Sequence, residues 1–187
     1  PLDLDLRYSL ALAYRGLLRY EDEARVYRDV TDRRPREGYA WIGLAEALGR
    51  LNKDDEALEA WRRAAQADPL SRLAWGRLAD GLVGRGRFAE ALEVLDRAVE
   101  RLPSAMDLWQ SRIDLLFDQG RPDLALATAR ELSQRFPDGA YATLMLARVL
   151  WDTRVSGTRS EIEELFRASI RRNAALWDAP DDYARFL

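Results

Sequence analysis

The sequence predicts an all-α solenoid of about five helix–turn–helix repeats followed by a C-terminal helix. Prolines, which end helices, recur at intervals of 34 residues, at Pro35, Pro69, Pro103 and Pro137. Tryptophans recur at the same interval, at Trp41, Trp75 and Trp109. Between them, apolar residues follow helical spacing. A period shared by several residue types indicates an array of one unit, and we call each set of equivalent positions a column.

The second repeat shows how the unit is expected to fold. Its first helix has apolar residues at i, i+3, i+4 and i+7, namely Trp41, Leu44, Ala45 and Leu48. Its second helix has an apolar stripe made of Ala57, Leu58, Trp61, Ala64 and Ala65. This helix ends at Asp68, because the residue before a proline is pushed out of the α region. The connection between the two helices is short, so they must lie antiparallel.

We expect a single domain over residues 1–187, with repeats at about 4–37, 38–71, 72–105, 106–139 and 140–175 and a terminal helix at 178–187. The first repeat is degenerate, and its Ala24 stands one place late. The fourth has Arg112 where a leucine is expected, and the fifth has a longer polar connection from Asp152 to Ser160. The terminal segment is interpreted as a capping helix or as the first turns of a sixth repeat.

These columns resemble the tetratricopeptide repeat (TPR), and the resemblance covers nearly the whole chain. The third repeat carries it most fully, with Trp75, Leu78, Ala79, Leu82, Gly86, Phe88, Ala91, Ala98 and Pro103. The resemblance implies a right-handed solenoid in which the first helix of each pair lines a concave face. It also implies that this face binds a partner protein or peptide.

The residue five places after each tryptophan is therefore of interest, because the resemblance puts it on the concave face. It is acidic in three repeats, at Glu46, Asp80 and Asp114, and it is Arg148 in the fifth. In one interpretation these carboxylates receive a basic segment of a partner, since like charges in a concavity concentrate cations. In the other they pair with nearby arginines such as Arg50, Arg77 and Arg148, or are simply solvated.

Further residues are expected on the same face, at Tyr39, Arg77, Gln110 and Tyr141. A tyrosine offers a flat apolar ring and a hydroxyl, a combination that is common in interfaces. The alternative is that Tyr39 and Tyr141 pack against the preceding helix.

The composition of the chain argues against several classes of function. The net charge of −3 argues against a general nucleic-acid-binding role. The chain has neither histidine nor cysteine, so the commonest general base, metal ligand and thiolate are missing. No apolar run approaches the roughly 20 residues of a membrane-spanning helix. We therefore predict no cofactor, no metal, no nucleic acid and no membrane insertion.

The predicted function is a non-enzymatic protein-interaction module that binds a peptide or helix of a partner, with charge selectivity from the three carboxylates. A second interpretation is a self-assembling scaffold joined through apolar ends, with Leu2, Leu4 and Leu6 at one end and Phe186 and Leu187 at the other. A third is the recognition arm of a larger enzyme, such as a transferase.

Overall fold

The computed structural model describes residues 3–153, 159–173 and 178–187, and these residues form α-helices joined by short turns, without strands. This confirms the predicted all-α solenoid. The helices are α1 (Leu4–Gly16), α2 (Tyr20–Arg33), α3 (Gly38–Arg50), α4 (Asp54–Ala67), α5 (Arg72–Val83), α6 (Phe88–Arg101), α7 (Met106–Asp118), α8 (Pro122–Arg135), α9 (Ala140–Thr153), α10 (Arg159–Arg172) and α11 (Asp178–Phe186).

The chain forms two compact units, Pro1–Pro103 (unit 1, α1 to α6) and Ser104–Leu187 (unit 2, α7 to α11). In each unit every helix packs against the helix that follows it. This nearest-neighbour packing is the arrangement that a repeat array requires, because a lone helix pair cannot bury its apolar stripe. The division of the chain into one domain, with the repeat boundaries given above, remains a prediction.

Small residues let the helices of a pair approach each other. Ala57, Ala91 and Ala125 form one column, and each is buried at the start of the second helix of its pair. Gly43 of α3 allows close approach between successive pairs, because a Cβ there would lie 2.3 Å from the Tyr27 ring of α2. Larger side chains such as the fully buried Trp109 fill the remaining space. The alternation of small and large residues gives the dense packing of a protein interior.

The turn between paired helices repeats one backbone conformation. Leu18, Asn52, Gly86 and Gly120 stand 34 residues apart and have positive φ angles of 58°, 56°, 70° and 65°. Glycine adopts this left-handed conformation without penalty, and asparagine tolerates it, whereas leucine is strained there. All four turns therefore share this left-handed conformation, including those at Leu18 and Asn52, where the residue is not glycine.

One of the two departures from the repeat columns, Arg112, can be followed in the structure. The guanidinium of Arg112 lies 6.0 Å from the centre of the Trp109 ring and 3.3 Å from the carboxylate of Glu131 on α8. The long polar connection of the fifth repeat lies partly outside the described residues, at 154–158.

Helix α11 packs mainly on α10 and makes a smaller contact with α9. Helix α9 has the same relationship to α8 and α7, which come one and two places before it. In this respect α11 packs like the first helix of a further repeat.

Candidate functional site

Unit 1 holds four of the predicted site residues, and one of them, Glu46, forms ion pairs with two arginines. Its carboxylate on α3 lies 2.9 Å from the guanidinium of Arg15 on α1 and 3.5 Å from that of Arg50. The arginine that reaches it from the neighbouring helix was not among the predicted residues. Glu46 is therefore already paired inside unit 1.

A buried carboxylate, Glu23 of α2, completes this ion-pair cluster. Its side chain is fully buried, and its Oε1 atom accepts a hydrogen bond from the Nε–H of Arg15, 2.7 Å away. The guanidinium of Arg50 lies 3.6 Å from the same oxygen. Glu23 stands 34 residues before Ala57, in the column that is otherwise alanine. A sign of this was present in the sequence, because the alanine of the first repeat, Ala24, stands one place after the column position that Glu23 occupies.

The remaining predicted residues of unit 1 are at the surface. Asp80 and Arg77 of α5 are exposed. Half of the Tyr39 side chain is exposed, and its ring meets the edge of Tyr8 on α1 at a centroid distance of 4.9 Å. Tyr39 thus contacts the neighbouring first helix while it keeps a free face.

Unit 2 brings the other four predicted residues together. The hydroxyl of Tyr141 on α9 donates a hydrogen bond of 2.5 Å to the Oε1 atom of Gln110 on α7. Gln110 is in turn hydrogen-bonded to Asp114, one helical turn further along α7. Arg148 of α9 acts on Asp114 through its positive charge. This network links two first helices of successive repeats.

Gln110, Asp114 and Arg148, but not Tyr141, line a cavity of about 390 Å³ that opens between α7, α9 and α11. Its walls are Gln110, Ile113, Asp114, Phe117, Met145, Arg148, Val149, Trp151, Asp152, Asp182 and Arg185. The volume is within the usual range for ligand sites. The cavity combines an aromatic and aliphatic side with three carboxylates and two guanidinium groups.

Partial burial in the cavity perturbs its carboxylates. Desolvation raises the pKa of Asp114, and the negative charge of Asp118 raises it further, against the opposing effects of Arg148 and Gln110. Desolvation also raises the pKa of Asp152, with Asp182 as a further cause and Arg148 in opposition. In both cases burial, more than any neighbouring charge, disfavours the ionised carboxylate.

Asp182 of α11 is a functional candidate that the sequence interpretation missed. It is buried and forms an ion pair and hydrogen bond with Arg148. It stands 34 residues after Arg148, so it continues the column of Glu46, Asp80 and Asp114. That spacing was the available signal. Arg148 thus pairs with Asp182 and also acts through its charge on Asp114 and Asp152.

The cavity is suited to a cationic side chain with an apolar stem. Carboxylates accept hydrogen bonds from ammonium or guanidinium groups, and Phe117, Met145 and Trp151 provide apolar surface for the methylene groups.

Within the described ranges, no group of three or more acidic side chains has the arrangement of a metal site. None of the helices described is long and apolar enough to cross a membrane.

An array of antiparallel helix pairs with a cavity between successive first helices defines an α-helical repeat protein of the protein-interaction class. The family model for the tetratricopeptide repeat matches residues 8–72, 48–106, 77–134 and 111–154, which together cover most of the chain. The chain belongs to the tetratricopeptide-repeat family. Proteins built on this fold are protein–protein interaction scaffolds and are generally not enzymes.

Solved structures are similar in fold. The crystal structure of the MamA protein aligns with 91% of this chain and 91% of its own, at 15% identity and a TM-score of 0.63. A thermophilic TPR protein of Thermus thermophilus aligns over 97% of both chains, at 19% identity and a TM-score of 0.56. YrrB, a TPR protein with an unusual peptide-binding site, aligns over 83% of this chain and 79% of its own, at 19% identity and a TM-score of 0.53. No curated protein matches the sequence.

Proposed function

We propose that this protein binds a basic segment of a partner protein, and that the cavity between α7, α9 and α11 takes a lysine or arginine side chain of that segment. The observation that carries the proposal is the set of three carboxylates, Asp114, Asp152 and Asp182, around one cavity with apolar walls. Arg148 is engaged by Asp182, and Arg185 is largely exposed. A cation bound near Asp114 and Asp152 would stabilise their ionised forms, which burial disfavours.

The raised pKa values of Asp114 and Asp152 support a cationic ligand in particular. A bound guanidinium or ammonium group would favour the ionised form of both carboxyl groups and lower their pKa values. Binding would therefore be strongest where both are ionised and would weaken as the pH falls through their raised pKa values. An anionic ligand would face the opposite electrostatics.

Unit 1 has a secondary role in the proposal. Asp80 has an exposed carboxylate, so it can attract a basic residue without breaking an existing pair. Glu46 is held by Arg15 and Arg50, so a ligand has to displace part of that cluster to use it. Within unit 1, Asp80 is therefore the more accessible acid, whereas we assign most of the charge selectivity to Asp114, Asp152 and Asp182 in the cavity of unit 2. The peptide-binding site of YrrB, which is similar in fold, adds support for a peptide ligand.

The test is a selection of short peptides from a random library on the immobilised protein, followed by affinity measurements on the enriched sequences. Lysine- and arginine-rich peptides are expected, and Asp114→Arg should weaken their binding at least about tenfold. Asp123→Arg is the matched control, because Asp123 is an exposed acid in the first turn of α8 that does not line the cavity. Enrichment of acidic peptides, or equal loss in both variants, would refute the proposal.

A capture experiment extends the test to natural partners. The wild type and a variant with Glu46→Arg, Asp80→Arg and Asp114→Arg, shown to be equally helical by circular dichroism, are exposed to the same cell lysate. A partner retained only by the wild type would carry a basic segment. Partners that bind both proteins equally would place the interface elsewhere.

Self-association has a specific observation in its favour. Leu6 and Leu10 of α1 are 66% and 43% exposed, whereas Ala40 and Leu44, which stand in the same columns of α3, are buried. Of the other predicted end residues, Leu187 is exposed, Leu4 is half-buried, Phe186 packs against Phe166, and Leu2 lies outside the described residues. Light scattering over a concentration series tests this candidate, and Leu10→Arg should lower a mass that rises with concentration.

A further inference from the structure

The proline and tryptophan columns are joined by a hydrogen bond. The indole Nε1–H of Trp41 donates to the carbonyl oxygen of Pro35 at 2.8 Å, and that of Trp75 donates to the carbonyl oxygen of Pro69 at 3.0 Å. Each indole is thus held between the end of one helix pair and the start of the next. Trp109, in the same column, is fully buried.

In the fifth repeat the proline of this pair is kept and the tryptophan is lost. Pro137 stands 34 residues after Pro103, whereas the position 34 residues after Trp109 is Thr143. A threonine leaves unfilled most of the volume that an indole occupies. Its hydroxyl turns back to its own helix and donates to the carbonyl oxygen of Gly139 at 2.9 Å.

The structure has a cavity at this place. It measures about 500 Å³, opens between α8, α9 and α10, and includes both Pro137 and Thr143 in its walls. The remaining walls are Ser133, Gln134, Glu161, Glu164, Leu165, Ala168 and Arg172. The volume is in the range of small-ligand sites.

We propose that this cavity is a vacant tryptophan slot that binds an aromatic side chain, preferentially an indole, from a partner protein. Leu165 and Ala168 offer apolar surface, and the carbonyl oxygen of Pro137 has the place in its repeat at which Pro35 and Pro69 accept the indole N–H. The guanidinium of Arg172 donates to Oγ1 of the buried Thr143, so it reaches into the slot. An inserted ring has to displace it from Thr143, and the guanidinium can then lie over the ring as a cation–π partner.

This slot is separate from the acidic cavity. Its walls come mainly from α8 and α10, the second helices of their pairs, whereas the carboxylates of the acidic cavity lie on α7, α9 and α11. The two proposals therefore stand or fall independently.

Indole itself is the probe. Titration of the isotope-labelled protein, followed by ¹H–¹⁵N correlation spectra, should show roughly millimolar binding with the largest shifts at Thr143, Leu165 and Ala168. The matched ligand is 1-methylindole, which has nearly the same shape without the N–H donor. It should bind about three- to tenfold more weakly, because the hydrogen bond to the Pro137 carbonyl is lost.

The decisive variant is Thr143→Trp, which restores the column and fills the slot from within. It should raise the melting temperature and abolish indole binding. If this variant folds poorly, Ala168→Leu blocks the slot from the opposite wall and should weaken binding in the same way. Asp123→Asn, at the exposed start of α8 and outside the walls of the slot, should leave indole affinity unchanged. Indole that fails to bind the wild type, or that binds a folded Thr143→Trp protein equally well, would overturn the proposal.

Discussion

The indole Nε1–H of Trp75 donates a hydrogen bond to the carbonyl oxygen of Pro69, six residues earlier and 3.0 Å away. Pro69 follows the end of α4, and Trp75 lies in the first turns of α5. The bond therefore fixes the angle at which the chain leaves one helix pair and enters the next. It places each tryptophan against the residue that follows the preceding helix, whereas proline recurs there because it ends that helix, since any residue would offer the carbonyl oxygen.

Replacement of Trp75 tests this packing. Trp75→Ala should lower the free energy of unfolding by about 3–5 kcal/mol, because Trp75 is only 9% exposed and its loss leaves a cavity. Trp75→Phe keeps most of the apolar volume and removes the donor, so it should cost clearly less. Urea denaturation followed by circular dichroism measures both. A loss below about 1 kcal/mol for Trp75→Ala would show that the residue contributes little packing.

The column of positive φ angles in the turns predicts a substitution that stabilises the protein instead of destabilising it. Leu18 has φ of 58°, a conformation that strains a leucine by about 1–2 kcal/mol, and the same column holds glycine at Gly86 and Gly120. Leu18 is 71% exposed, so its side chain buries little apolar surface. We expect Leu18→Gly to stabilise the protein by about 0.5–1 kcal/mol, after the entropic cost of glycine is included.

The neighbouring leucine is the control for this change. Leu17 is 67% exposed, but its φ is −89°, so glycine relieves no strain there. Leu17→Gly should therefore be neutral or destabilising in the same thermal melts. Equal effects from the two substitutions would show that the backbone conformation at Leu18 stores no strain.

The sequence predicted the fold well because the columns that define it are packing columns. Proline ends a helix, and tryptophan and alanine fill fixed places between helices, wherever they occur in the array. The site is less predictable, because charges interact across helices. Arg15 reaches Glu46 from a degenerate repeat, and Asp182 takes up Arg148 from α11. The 34-residue period assigns Asp182 to the same column as Arg148, but it does not show which charged side chains will pair, because that depends on how neighbouring helices pack.

The ion pairs of Glu23 were likewise not predicted from the sequence, and they lead to a third prediction. Its buried carboxylate stands in the alanine column and is compensated by Arg15 and Arg50. Glu23→Gln removes the charge that holds both guanidinium groups and should destabilise the protein by about 1.5–3 kcal/mol. Glu56→Gln is the control, because Glu56 pairs with Arg28 at the surface and should cost less than about 1 kcal/mol. Equal costs in urea denaturation would show that burial gives the Glu23 cluster no special strength.

Asp114 provides a prediction that depends on pH. Its pKa is raised in the folded protein by desolvation and by the charge of Asp118, so the folded state binds its proton more tightly than the unfolded chain does. Stability therefore decreases as the pH rises from the usual pKa of an aspartate through the raised value, and the full penalty is present at neutral pH. Asp114→Asn removes the penalty and should raise the melting temperature at neutral pH.

The pH profile separates this explanation from a general effect of the substitution. The difference in melting temperature between Asp114→Asn and the wild type should shrink as the pH falls, and it should vanish where both the folded and the unfolded carboxyl are protonated. Asp123→Asn, at the exposed start of α8, should show no comparable gain at neutral pH. A stabilisation by Asp114→Asn that is the same at every pH would mean that the charge of Asp114 is not its cause. A destabilisation at neutral pH would mean that attraction to Arg148 outweighs desolvation, and that the cavity has no excess of negative charge to offer a basic ligand.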